Sequence, residues 1–142
     1  MKRIIYQNNE GLKIIIPSSR TTKTLEEIAQ KVVPNEIDYE IVNTEDLPND
    51  RLFRSAWEKQ GAKIKTNINK AKEISHKLRR VNREAQLVPL DKEINHNIAN
   101  TNKIASIEAQ REIIRTQNAQ NQIDIDSAIT EEELREILNR HY

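Results

Sequence analysis

The sequence predicts an α+β protein, with a small three-stranded α/β module followed by an antiparallel helical hairpin and a short C-terminal helix. Short β-branched segments separated by turn residues occupy the first part of the chain. A long stretch of charged and amide residues with regularly spaced apolar positions follows them. We expect two domains, a head at residues 1–60 and a helical region at residues 61–142.

Three short segments of the head have the composition of strands. Residues 2–7 (KRIIYQ) and 12–16 (LKIII) are rich in β-branched side chains, and the connection between them contains Asn8, Asn9 and Gly11. This order is typical of a β-hairpin, in which a glycine or an asparagine adopts a positive φ. Residues 38–43 (DYEIVN) alternate between polar and apolar side chains and are predicted to form the third strand.

Two short helices are predicted beside these strands. Thr24 and Glu27 have the spacing of a capping box, so a helix should begin there and end at Pro34. A second helix is predicted at residues 51–59, where apolar side chains fall on one side. Residues 60–62 (QGA) are the predicted hinge between head and helical region.

The region after the hinge predicts one long helix with a narrow apolar seam. Its apolar residues recur at intervals of three and four, and polar residues fill the other positions. A seam this narrow favours packing against another helix, so it is the candidate partner-binding surface. Pro89 should kink or restart the helix. The seam residues are Ile68, Ala71, Ile74, Leu78, Val81 and Ala85.

The rest of the chain predicts a second long helix and a short final one. Residues 95–102 are polar and are interpreted as the turn of the hairpin. The second helix is expected at residues 102–118, and residues 117–122 (QNAQNQ) are expected to fray. Thr130 and Glu133 form a second capping-box pattern, which predicts the start of the last helix.

The net charge of +1 hides an uneven distribution. Acidic residues dominate positions 26–50, and basic residues dominate positions 63–83. A basic helix is a possible surface for nucleic acid. However, no aromatic residue lies between Trp57 and Tyr142 to stack on bases, so a solvated face or docking to the acidic head is the preferred interpretation. The candidate basic face contains Lys77, Arg79, Arg80 and Arg83.

We predict no catalytic, cofactor-binding or metal site from the residues that could form one. The chain has no cysteine, and its two glycines are too few for a phosphate-binding loop. Ser75 and His76 are adjacent, so they would not face each other on a helix. Glu73 and His76 have the Glu-x-x-His spacing of di-iron bundles, as do Glu93 and His96. At about 100° per residue, both histidines should point away from the seam.

Composition bounds the size of the core and the location of the protein. Hydrophobic residues make up 36% of 142 residues, so small, separate cores are expected. No apolar run has the length of a signal peptide or a membrane span, and we therefore expect a cytoplasmic protein without a membrane partner.

Four segments of the helical region carry a family resemblance. They are AKEISHKLRR at 71–80, LDKE at 90–93, IEAQREIIR at 107–115 and AITEEEL at 128–134. Together they resemble the helical region of phage tail assembly chaperone proteins. The opening residues MKRIIYQNNEG and the segment DLPNDRLFRSAW look like the head that often precedes that region.

The resemblance implies a non-enzymatic role in tail morphogenesis through protein–protein contact. The implied partner is a phage tail or tail-fibre protein, held by an assembly chaperone in the host cytoplasm. Two alternatives stay open, a structural adaptor of the mature tail in the virion and a nucleic-acid-binding regulator that uses the basic helix. Self-association of the helical hairpin into a homo-oligomer is also possible.

Overall fold

The computed structural model describes residues 1–140 and confirms an α+β chain, in which strands and one short helix come first and three further helices follow them. Two compact units divide between Lys70 and Ala71. This division lies later than the predicted one after Gln60, because residues 63–66 pair with residues 57–60 in a second hairpin and so belong to the head.

The head contains the predicted three-stranded antiparallel sheet. Strands β1 (Lys2–Asn8), β2 (Gly11–Ile15) and β3 (Tyr39–Asn43) lie in the order β2-β1-β3. Asn8 pairs with Gly11, so the loop between β1 and β2 has two residues. Gly11 follows the loop at a φ of 116°, which only glycine adopts readily, and the Glu10 amide donates to Asn8 Oδ1 at 3.0 Å.

Helix α1 (Leu25–Val32) begins at the predicted capping box. Thr24 Oγ1 accepts from the Glu27 amide at 3.2 Å, and Glu27 Oε2 accepts from the Thr24 amide at 2.8 Å. The helix packs its apolar side on the sheet, and Ile4, Ala29 and Val33 form the buried centre of this contact.

The predicted helix at residues 51–59 is wrong. Arg54–Ala56 form a 3-10 turn, and Trp57–Gln60 form strand β4, which pairs antiparallel with β5 (Lys63–Thr66). Gly61 opens the β4–β5 turn at a φ of 61°. Phe53 and Trp57 are both buried, and their spacing of four results from a turn followed by a strand.

Two long helices form the predicted antiparallel hairpin. Helix α2 (Ile68–His96) and helix α3 (Thr101–Ser127) are joined by a short turn, and Asn100 caps α3 by accepting from the Lys103 amide at 3.0 Å. Contacts between them join residues whose numbers add to about 200, as an antiparallel pair requires. These contacts are His76–Asp126, Arg79–Asn118 and Asp91–Arg111.

Both long helices continue further than the sequence predicts. Pro89 lies inside α2 without ending it. Residues 117–122, expected to fray, are helical within α3, which ends at Ser127. Asn118 in this segment accepts a hydrogen bond from Arg79 on α2, and Asn121 is buried, so the helix gains packing that its composition does not suggest.

Helix α4 (Glu131–Asn139) begins at Thr130 as predicted, with Glu133 completing the capping box. Its apolar side, Leu134, Ile137 and Leu138, is buried. No helix within residues 1–140 is long and apolar enough to cross a membrane.

Candidate functional site

Helix α3 faces α2 with a regular heptad pattern. A series of buried and half-buried positions recurs at intervals of three and four along the helix and its C-cap, and half-buried Glu108 and Asp124 lie beside this series. The positions of the series are Ile104, Ile107, Arg111, Ile114, Asn118, Asn121, Ile125 and Ala128. Three of the eight are polar, so the interface between the two helices is apolar in some parts and polar in others.

The base of the hairpin is apolar and well buried. Ala71, Ile125 and Ala128 are at most 4% exposed, and Ser75 Oγ is satisfied by donating to the Ala71 carbonyl at 2.9 Å. Helix α4 adds its buried residues beside α3. This end therefore supplies the stable core of the helical unit.

The middle of the hairpin is polar. Arg79 is 7% exposed and donates from Nη1 to Asn118 Oδ1 at 3.0 Å. Asn121 is 8% exposed and Asn82 is half-buried. Guanidinium and amide groups in these positions require partners, because a buried polar group without one costs free energy.

A cavity of about 300 Å³ opens beside this polar centre. Arg79, Arg83 and Arg140 line it together with amide side chains, and among residues 1–140 no acidic residue belongs to its lining. Such a lining favours acceptor oxygen atoms over apolar groups.

The tip of the hairpin is held by half-buried apolar residues and one ion-pair cluster. Leu87 and Ile94 on α2 face α3, where Ile107 is 2% exposed. The Arg111 guanidinium joins Asp91 Oδ1 at 2.9 Å and Glu108 Oε1 at 2.6 Å. Arg111 thus links the two helices and stiffens its own helix.

The predicted seam of α2 coincides with the buried side only in its first half. Ala71 is buried, and Ile68, Ile74 and Leu78 are half-buried. Val81 and Ala85 are exposed, so the seam packs within the hairpin only as far as Leu78. Asn82 and Leu87 are half-buried in this stretch instead, and Asn82 lines the same cavity as Ile114 and Asn118 of α3.

The second half of the seam, Val81 and Ala85, forms an exposed apolar stripe on α2 together with Val88. Their intervals of four and three place them on one side of the helix. Val81 is 58% exposed and Val88 is 41% exposed. We call these three residues the α2 stripe.

The predicted basic face is partly correct. Lys77, Arg80 and Arg83 are exposed on α2. Arg79 is not part of this face, because it points into the hairpin and binds Asn118. The heptad pattern of α3, counted with its polar members, is the signal in the sequence that could have placed Arg79 inward.

The Glu-x-x-His pairs do not meet. His76 was expected to point outward, but its side chain is 19% exposed and its Nε2 lies 2.8 Å from Asp126 Oδ1 on α3. Lys72 Nζ donates to the Asp126 carbonyl at 2.8 Å, so Asp126 fastens the base of α2 to the end of α3. Within the described part of the chain, no three His, Cys, Asp or Glu side chains are grouped as metal ligands would be.

Comparisons of the chain with protein-family models, with curated proteins and with solved structures return no match.

Proposed function

We propose that this chain acts by protein–protein contact and that the α2 stripe is its partner-binding surface. The observation that carries the proposal is the exposure of Val81 and Val88 on one side of a helix whose other side already packs on α3. Both side chains keep a large exposed fraction, 58% for Val81 and 41% for Val88, although α2 already packs on α3. A contiguous apolar surface left in this way is a feature of interaction sites.

The charges around the stripe define the chemistry of the partner. Exposed Lys77 lies four residues before Val81, and exposed Lys92 lies four residues after Val88, so a lysine flanks each end. Glu84 contributes one acidic group beside the stripe. An amphipathic helix with apolar residues at helical spacing and acidic residues at both ends complements this surface.

The family resemblance suggests the biological setting of this contact. In that setting the partner helix belongs to a phage tail or tail-fibre protein, and the chain is an assembly chaperone for it. A structural adaptor would use the same surface but remain in the particle. Mass spectrometry of purified particles separates the two roles, since an assembly chaperone is absent from them.

Site-specific photo-crosslinking tests the proposed surface. A photoreactive amino acid replaces Ala85 in the stripe, and the chain is produced in cells together with the products of its neighbouring genes. We expect a crosslinked partner from this position and none from Thr116, an exposed position on α3. A crosslink to a second copy of the chain assigns the stripe to a homo-oligomer. Equal crosslinking from both positions contradicts the proposal.

The exposed basic residues support a second candidate, a nucleic-acid-binding regulator. Lys77, Arg80 and Arg83 recur every three residues and form a basic row on α2. Phosphate contacts by such a row weaken steeply with salt. Binding of duplex DNA or RNA that disappears between about 50 and 200 mM salt and depends on Arg80 would favour this function.

A further inference from the structure

The head contains a cavity of about 190 Å³ that the proposed function does not use. Its apolar wall includes Ile14 of β2, Leu47 and Trp57 at the start of β4. Arg3 of β1, Arg51 and Arg54 also line it. Every one of these residues belongs to the first compact unit, so the site is complete within the head.

The residues that line the cavity carry a net positive charge. Three arginines belong to the lining, and none of the described residues that line it is acidic. Guanidinium groups bind carboxylate and phosphate oxygens in paired hydrogen bonds. Guanidinium groups in this cavity would therefore compensate the charge of a bound anion and hold its oxygen atoms in a defined geometry.

Two buried donors at this cavity have no acceptor among the described residues. The indole nitrogen Nε1 of Trp57 and Nη1 of Arg3 are both buried without a hydrogen-bond partner. Trp57 itself is only 4% exposed. Buried donors without acceptors are rare, because each one loses its hydrogen bonds to water on folding. Both donors belong to residues that line the cavity.

We propose that this cavity binds a compact organic oxyanion, a carboxylate or phosphate ester that carries an apolar group. The oxyanion pairs with the guanidinium groups, and the apolar group lies against Ile14, Leu47 and the indole ring. The volume is below that of most drug-sized sites, so the ligand is small. The head is then a ligand-binding module, independent of the helical contact surface.

The full-length chain offers a direct readout, since Trp57 is its only tryptophan. The indole N–H gives one identifiable signal in a two-dimensional proton–nitrogen NMR spectrum. Phenyl phosphate and benzoate are titrated as probes, with benzyl alcohol as the uncharged control of similar size. We expect saturable shifts of the indole signal with at least one anion and none with the alcohol. The anion that saturates at lower concentration identifies the ligand class.

Charge-removing variants link the signal to the site. Arg51 and Arg54 are exposed, so Arg51→Gln and Arg54→Gln leave the core intact. Each should weaken anion binding by about tenfold or more, as expected for the loss of a charge-assisted hydrogen bond. Arg20→Gln, an exposed change outside the cavity, should bind like the unmodified chain. An indole signal unmoved by both anions, or equal affinity of Arg54→Gln and Arg20→Gln, overturns the proposal.

Discussion

The guanidinium of Arg79 on α2 donates a hydrogen bond to Asn118 on α3, 3.0 Å away, in the middle of the hairpin. A buried polar pair in a helix interface favours one alignment of the two helices, because a shift of either helix would bury its members without partners. We infer that this pair, together with Asn121, sets the register of the hairpin.

Removal of the Arg79 side chain should destabilise the helical unit. Arg79→Ala leaves Asn118 without its donor and should cost about 1–3 kcal/mol of unfolding free energy. Urea unfolding followed by circular dichroism measures this change. Arg80→Ala is the control, since Arg80 is exposed and should change stability by less than about 0.5 kcal/mol. Equal stabilities of the two variants would show that the polar pair does not hold the hairpin.

Two isoleucines near the end of α3 lie on opposite sides of the helix, one on its buried side and one on its exposed side. Ile125 is 0% exposed and Ile123 is 60% exposed. Ile125→Ala should lower the unfolding free energy by about 2–5 kcal/mol, because it removes buried methylene groups and leaves a cavity. Ile123→Ala should change it by no more than about 0.5 kcal/mol. A similar loss in both variants would mean that the buried side of α3 has been assigned incorrectly.

The capping box at Thr130 should control the order of α4. Thr130→Ala removes the acceptor for the Glu133 amide and should cost about 1 kcal/mol. Hydrogen exchange of residues 131–139 should accelerate locally. Thr101→Ala serves as the control, because Thr101 starts α3 next to the actual cap, Asn100. Unchanged exchange in α4 would remove the capping box from the explanation of this helix.

The carboxyl group of Glu58 should have a pKa below its ordinary value. Lys70 Nζ donates to it at 2.8 Å and Asn67 Nδ2 donates at 3.0 Å, and these bonds hold the pKa of Glu58 below its ordinary value of 4.5. A lowered folded-state pKa contributes stability that is present above the ordinary pKa and lost as pH falls through the folded-state pKa. NMR titration should show the pKa rising in Lys70→Ala, whereas a pKa unaffected by this change would contradict the assigned cause.

Local chemistry made part of the fold predictable. The capping boxes at Thr24 and Thr130 and the turn at Gly11 depend on neighbouring residues only, and the structure places all three as predicted. The same reasoning failed at Trp57, because residues 57–60 form a strand only through pairing with residues 63–66. A helical spacing of apolar residues cannot reveal that partner strand.

The side of α2 that packs on α3 could not be predicted from the spacing of apolar residues alone. Val81 and Ala85 continue the apolar spacing, yet Arg79 and Asn82 face inward because α3 offers Asn118 and Asn121 there. Which side of a helix is buried thus depends on what the opposing helix presents. The exposed α2 stripe is the consequence, and it became visible only with the structure.

Paired aspartate variants test the proposed contact surface most directly. Val81 in the stripe and Ile113 on α3 are each 58% exposed, so Val81→Asp and Ile113→Asp introduce the same charge at equally exposed apolar sites. Both should keep their helicity by circular dichroism. With the tagged chain purified from cells that also produce the products of its neighbouring genes, Val81→Asp should lose its bound partner and Ile113→Asp should retain it. Retention of the partner by Val81→Asp, or equal loss in both variants, would contradict the assignment of the stripe as the binding surface.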